Sequence, residues 1–166
     1  MPINLSDLSI LWGSPIQTGL HKLTEILGPI STDTRTLKEG DFYIPLIGAK
    51  YDGHRFLNKA YELGAQGALV SKRNKTSIPK DLLFWRVEDT LTCYQELSLL
   101  HRQLLDLPFI AITGSSGKTT TRELIAAMLR LKGDVVTSAN NENNDIGVAK
   151  TILNVRNSDS AAVIEM

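Results

Sequence analysis

The sequence predicts an α/β protein: a small N-terminal α/β domain, then the start of a P-loop, doubly wound parallel sheet. Short β-rich apolar runs alternate with stretches of helical period along the whole chain, as in proteins that cover sheets with helices. Phe109-Ile110-Ala111-Ile112-Thr113 is almost wholly apolar, the pattern of a strand buried on both faces. From there the order is strand, glycine loop, helix, strand, helix, strand, the beginning of a parallel sheet with right-handed crossovers. The expected divisions are 1–82, a connecting strand and helix over 83–107, and 108–166.

Each element has a local reason. Ser6 can cap a short helix through Leu11, and Asp41 to Leu46 reads as a strand after the turn signal Lys38-Glu39-Gly40. Asp52 or Gly53 opens a helix with Phe56, Leu57, Ala60, Tyr61 and Leu63 on its apolar side, closed by Gly64. Gly67 to Ser71 returns as a strand, Lys72 to Lys80 is a polar loop, and Leu82 to Val87 is another strand. Between Glu88 and Leu105, Leu91, Tyr94, Leu97, Leu100 and Leu104 recur every three or four residues and describe one amphipathic helix. Pro108 ends it. Beyond the glycine loop, Lys118 to Lys132 carries the helical face Leu124, Ile125, Met128, Leu129 and Leu131, with Gly133 at its C-terminal cap. Asp134 to Ser138 is a strand, Asp145 to Val155 a helix and Ala161 to Glu165 a third strand.

Composition narrows the function. The chain has 166 residues, with 18 Lys plus Arg balanced by 18 Asp plus Glu, so it lacks the basic excess of a nucleic-acid or anionic-membrane binder. At 42% hydrophobic and 22% charged residues it can bury a core. Cys93 is the only cysteine, which excludes an internal disulfide and any multi-cysteine metal site. No apolar run approaches the roughly 18 residues that span a bilayer, and the first basic residue is Lys22, so a cytoplasmic protein is expected.

The chemistry concentrates in Thr113-Gly114-Ser115-Ser116-Gly117-Lys118-Thr119-Thr120, the back half of a phosphate loop in its strand-to-helix setting. Gly114 and Gly117 permit a turn whose N–H groups point at phosphate oxygens, and the following helix adds its positive end. Lys118 can reach β and γ phosphates, while the Thr119 hydroxyl can join the oxygen shell of Mg²⁺. Ile112 stands where the standard loop has its first glycine. Asn140 to Gly147 forms a polar loop at a strand's carboxyl end, where open α/β sheets bind ligands. Asn141 and Asn144 can therefore face a nucleotide or substrate, or Asn144 or Asp145 can simply cap the next helix. Glu165, ending an apolar strand of the same sheet, can bind a metal opposite Thr119 or stand as an exposed terminal charge.

These three elements, in this order and spacing, resemble the Mur ligase family, ATP-dependent amide-bond-forming enzymes of peptidoglycan synthesis. That family also lacks the first glycine and carries Thr-Gly-x-x-Gly-Lys-Thr, as Thr113 to Thr119 does. Ala111 to Thr120 with Asn141, Asn143-Asn144 and Ile146-Gly147 is most similar to the branch that adds D-alanyl-D-alanine to UDP-N-acetylmuramoyl-tripeptide. Thr32-Asp33-Thr34-Arg35, Gly40-Asp41, Gly48, Asp52-Gly53-His54 and Gly64-Ala65 resemble the family's UDP-substrate domain. Asn140, Ala149 and Met166 depart from the branch's usual Gly, Pro and Leu without removing a functional side chain.

The resemblance implies ATP and Mg²⁺ as cofactors, with UDP-N-acetylmuramoyl-tripeptide and D-alanyl-D-alanine as substrates. It implies neither a nucleic-acid partner nor membrane insertion, and monomeric full-length relatives. The tripeptide carboxylate would attack the γ-phosphate, and the dipeptide amine would displace phosphate from the acyl phosphate. The expected assignments are Lys118 as the catalytic residue on the phosphates, Gly114 to Thr120 as their cradle, and Thr119 with Glu165 on the metal. Thr34, Arg35 and His54 are the expected UDP-substrate residues; a guanidinium suits a pyrophosphate, although Arg35 can instead pair with Asp33 or Asp41. His54 can equally fix its loop by hydrogen bonding. The family's remaining central and C-terminal domains are missing, so the chain reads as an incomplete portion, inactive alone. Another P-loop ligase or kinase, or a non-catalytic binding fragment, are the alternatives.

Overall fold

Asn4 opens the first helix, α1 (Leu5–Trp12), because Asp7 reaches back to accept the Asn4 backbone N–H at 2.8 Å. The cap is thus Asn4 rather than Ser6: the acidic residue three positions on satisfies an N–H that Ser6, already inside the helix, cannot. The computed structural model describes residues 2–17, 21–49, 51–139 and 142–166. Those residues form two compact units, Pro2–Tyr94 and Gln95–Met166.

The first unit is built on a four-stranded, all-parallel sheet of order β1-β2-β5-β6: β1 (Ile30–Ser31), β2 (Phe42–Tyr43), β5 (Gly67–Ser71) and β6 (Phe84–Val87). Leu82 and Leu83 precede the ladder, so β6 starts two residues later than their apolarity suggests. As the sheet's fourth strand, β6 belongs to this unit and not to a separate connecting piece. A short antiparallel hairpin, β3 (Ile47–Gly48) and β4 (Tyr51–Asp52), precedes a 3₁₀ turn (Gly53–Phe56) and α2 (Leu57–Glu62). Leu57 and Ala60 of α2 pack on Tyr43, Ala68 and Val70, while Tyr61 faces solvent. Trp85 is buried, tilts against Phe42 at 5.9 Å between ring centroids, and donates its indole N–H to the Gly13 carbonyl.

A long helix, α3 (Thr90–Leu104), starts in the first unit and ends in the second. The second unit is a three-stranded parallel sheet of order β7-β9-β8, from β7 (Phe109–Ile112), β8 (Val135–Thr137) and β9 (Ala161–Glu165). Helices α4 (Lys118–Leu129) and α5 (Asp145–Leu153) make the two crossovers. The faces of β9 alternate: Ala162 meets Leu105 and Val155, and Val163 meets Ala126, Ile125 and Leu129. Both faces are covered, so β9 is buried throughout and apolar up to its terminal Glu165.

One helical face differs from expectation. The inward side of α4 is Arg122, Ile125, Ala126 and Leu129, whereas Leu124, Met128 and Leu131 are exposed. At about 100° per residue the five expected positions fall on two stripes, and only the stripe carrying Ala126 lies close enough to the strands to pack.

Candidate functional site

The parallel order of β7, β9 and β8 puts the carboxyl ends of all three strands on one side, and the residues there converge. After β7 the chain turns through Gly114 (φ 147°) and Gly117 (φ 75°). Gly117 is the N-cap of α4 in a left-handed conformation that a Cβ would strain, so the loop can swing tightly into the helix. Ser115, Ser116 and Gly117 are exposed, and the first turn of α4 presents its N–H groups beside them. The Lys118 ammonium arches back to donate to the Gly114 carbonyl at 2.9 Å, which holds the cation over the loop.

Glu165 ends β9 with only 7% of its surface exposed. Its backbone N–H donates to Ser138 Oγ, just beyond β8, which fixes the strand end. The Thr119 hydroxyl donates to Glu165 Oε2 at 3.1 Å, Arg122 Nη1 reaches the same oxygen at 3.4 Å, and Asn143 Nδ2 reaches Oε1 at 3.4 Å. The sheet thus brings together Thr119 and Glu165 from 46 positions apart. A hydroxyl and a carboxylate are the hard oxygen donors that Mg²⁺ takes, and few enough that phosphate oxygens and water would fill the remaining positions. Among the described residues no cluster of three or more His, Cys, Asp or Glu forms an all-protein metal cage.

Asn144 caps α5, its Oδ1 accepting the Gly147 N–H at 2.9 Å, so one end of that amide is committed to the helix. Asn141 lies outside the described residues. Gly147 sits against the loop before it: a Cβ there would come within 2.6 Å of the Glu142 backbone. A cleft of about 420 Å³ runs beside this turn, lined by Gln95, Ser98, Asn143, Asn144, Asp145 and Met166 among others.

In the first unit the expected residues separate. Thr34 and Arg35 line an open cleft of about 360 Å³ with Thr32, Asp33, Tyr51 and Phe56. Arg35 is exposed and folds onto Asp33, with Nε at 3.0 Å and Nη2 at 2.5 Å from its carboxylate oxygens. That guanidinium, helped by the Arg35 backbone N–H, holds the Asp33 carboxyl down to about 2. Tyr51 stacks on Phe56 at 5.5 Å with 20° between the planes.

His54 is elsewhere, fully buried. Its Nε2 accepts the Ser71 backbone N–H at 2.9 Å, so the ring proton resides on Nδ1 and is donated to Asp52 Oδ1 at 2.7 Å. Burial would raise the Asp52 carboxyl, but the His54 backbone N–H and ring outweigh it and hold it below the usual range. With both nitrogens engaged, His54 ties the 3₁₀ turn to β5 and offers no free nitrogen to a ligand.

Arg122, Asn143 and Ser138 at one site and Tyr51 and Phe56 at the other were missed by sequence reasoning. Arg122 had a signal: three positions after Thr119 on a helix, it shares that residue's face.

Comparison with known proteins shows what the chain is similar to. Residues 112–166 match the Mur ligase middle domain. The chain is 43% identical over 137 residues to the UDP-N-acetylmuramoyl-tripeptide–D-alanyl-D-alanine ligase of a Synechocystis species, covering 82% of this chain and 30% of that one. The whole chain superposes with a TM-score of 0.82 and 28% identity on 36% of the UDP-N-acetylmuramoylalanyl-D-glutamyl-2,6-diaminopimelate–D-alanyl-D-alanyl ligase of Acinetobacter baumannii. It also superposes over 84% of its length on 32% of a MurF ligase from Thermotoga maritima in complex with ADP, with a TM-score of 0.73 and 27% identity. The chain spans about a third of the length of the relatives it matches.

Proposed function

We infer, since the chain belongs to the Mur ligase family, that it is the UDP-substrate-recognition and ATP-phosphate-binding portion of the ligase that adds D-alanyl-D-alanine to UDP-N-acetylmuramoyl-tripeptide. The observation that carries the reading is the convergence of the Gly114–Lys118 loop, Thr119 and Glu165 at one end of a parallel sheet. Such a site suits phosphoryl transfer, where catalysis is positioning and charge neutralisation with little covalent chemistry for the protein.

The first unit, through the Thr32–Arg35 turn, would hold the UDP moiety. Arg35 can exchange the Asp33 carboxylate for the pyrophosphate, and the exposed Tyr51 ring offers a planar face in the same cleft. In the second unit the loop N–H groups and the α4 N-terminus would cradle the ATP phosphates, and Lys118 would leave the Gly114 carbonyl for the β and γ oxygens. Thr119 and Glu165 would hold Mg²⁺, whose charge offsets that of the phosphates. The substrate carboxylate would take the γ-phosphoryl group to give an acyl phosphate and ADP. The dipeptide amine would then form the amide bond and release phosphate. Binding of D-alanyl-D-alanine is left to the part of the ligase beyond this chain, and the reaction to the cytoplasm, where ATP and the nucleotide-linked substrate are made.

Calorimetric titration of the two nucleotides tests the division of labour. ADP with Mg²⁺ should bind the wild-type chain and lose about ten- to a hundredfold in affinity on Lys118→Ala, the worth of a charge-assisted contact. UDP should lose affinity on Arg35→Ala and keep it on Lys118→Ala. If Lys118→Ala leaves ADP affinity intact, the phosphate-site reading is wrong.

A further inference from the structure

We propose that Arg122 makes metal binding at the Thr119–Glu165 pair conditional on nucleotide: its guanidinium aims the Glu165 carboxylate and, by its charge, repels a divalent cation that arrives without phosphates. The proposal rests on the phosphate-site reading above and extends it to a residue that reading leaves without a role.

Arg122 is 4% exposed, one turn along α4 from Thr119. Unpaired buried guanidinium would be strongly unfavourable, and the same holds for a buried carboxylate such as Glu165. Arg122 answers both needs. Nη1 lies 3.4 Å from Glu165 Oε2, while Nη2 and Nε lie 2.8 and 3.2 Å from Glu123 Oε1 on the half-exposed side. It therefore bridges an inner and an outer carboxylate, and the three groups together carry one net negative charge.

The oxygen Arg122 approaches is also the oxygen that accepts from Thr119. A divalent ion shared by Thr119 and Glu165 would sit within a few ångströms of a fixed positive charge in a partly buried setting, where charges are weakly screened. Phosphate oxygens of a nucleotide on the adjoining loop bring the negative charge that tips this balance. A lysine on the helix surface would move away at little cost. The planar guanidinium, clamped between two carboxylates, cannot.

The test measures Mn²⁺, as a probe of the Mg²⁺ site, by electron paramagnetic resonance of the free ion, with and without ADP. Removing the charge by Arg122→Gln leaves two carboxylates unopposed and should tighten Mn²⁺ binding without ADP by about tenfold or more, while changing the ADP-dependent affinity less. Arg122→Lys, which keeps the charge but not the two-sided clamp, should fall between wild type and Arg122→Gln. Unchanged or weaker Mn²⁺ binding in Arg122→Gln would overturn the proposal, because an arginine with a purely structural role can only loosen the site. Should Arg122→Gln fail to fold by circular dichroism, the exposed Glu123→Gln decides. It leaves the guanidinium to Glu165 alone and should weaken ADP-free Mn²⁺ binding, and an unchanged value would overturn the proposal. ADP-dependent Mn²⁺ binding that is present and lost in Lys118→Ala, with no response to Arg122→Gln, defeats only the Arg122 proposal. Its absence in wild type defeats the phosphate-site reading as well.

Discussion

Two residues of similar promise in the sequence, Arg35 and His54, have opposite fates in the structure. His54 is a buried post whose two nitrogens hold Ser71 and Asp52. His54→Ala would strand the Ser71 N–H and open a cavity, so it should lower stability by about 2–4 kcal/mol in urea unfolding. UDP affinity of the folded fraction should not change. Arg35, by contrast, spends its charge on Asp33 in solvent. Because the folded Asp33 carboxyl sits near 2, below its unfolded value of about 3.9, the pair's contribution to stability is present above that unfolded value. It is lost as pH falls toward 2. A carboxyl NMR titration of Asp33 should show a midpoint near 2, rising in Arg35→Ala but staying below about 3.9 because the backbone N–H of residue 35 still donates to the carboxylate. A midpoint already near 3.9 in the wild type would mean that the pair is not formed in solution.

Helix α5 rests on two small features, the Asn144 cap and the Cβ-free surface of Gly147 against the Glu142 backbone. Gly147→Ala should cost about 1–3 kcal/mol, since backbone and not a flexible side chain must yield. Asn144→Ala should cost about 1 kcal/mol, the worth of a cap. Equality of both variants with wild type in thermal or urea unfolding would contradict the packing described for this turn. Elements of this second unit were legible in the sequence because apolar period, glycine loop and strand alternation agree over long stretches, as in β7, α4 and β9. The two-residue strands β1, β3 and β4 were not, being too short to show a period of two. The inward face of α4 was misread because leucine and methionine drew attention from the stripe through Arg122 and Ala126, where spacing and not hydrophobicity selects the packed side. A buried arginine is rare enough that a charged residue in a helix reads as surface.

At the scale of the molecule, each unit is a parallel sheet, and the proposed sites lie where its strands end or its turns open. The meeting of Thr119 with Glu165 comes from the pairing of β7 with β9, since neighbouring parallel strands deliver their carboxyl ends to one place; the sequence alone left Glu165 open as an exposed terminal charge. The cleft of the first unit was only half legible: Thr34 and Arg35 share a turn, but Tyr51 and Phe56 join them through a hairpin and a 3₁₀ turn that local pattern does not reveal. No described helix is long and apolar enough to cross a membrane. The measurement that bears most directly on the whole account is ADP release by the full-length ligase proposed above, with each substrate supplied or withheld. Continued ADP release, beyond one equivalent per enzyme and in proportion to amide product, should require UDP-N-acetylmuramoyl-tripeptide and D-alanyl-D-alanine together, and Lys118→Ala should abolish it. Product formation by Lys118→Ala at the wild-type rate, or amide formation with another amine in preference to D-alanyl-D-alanine, would contradict the account.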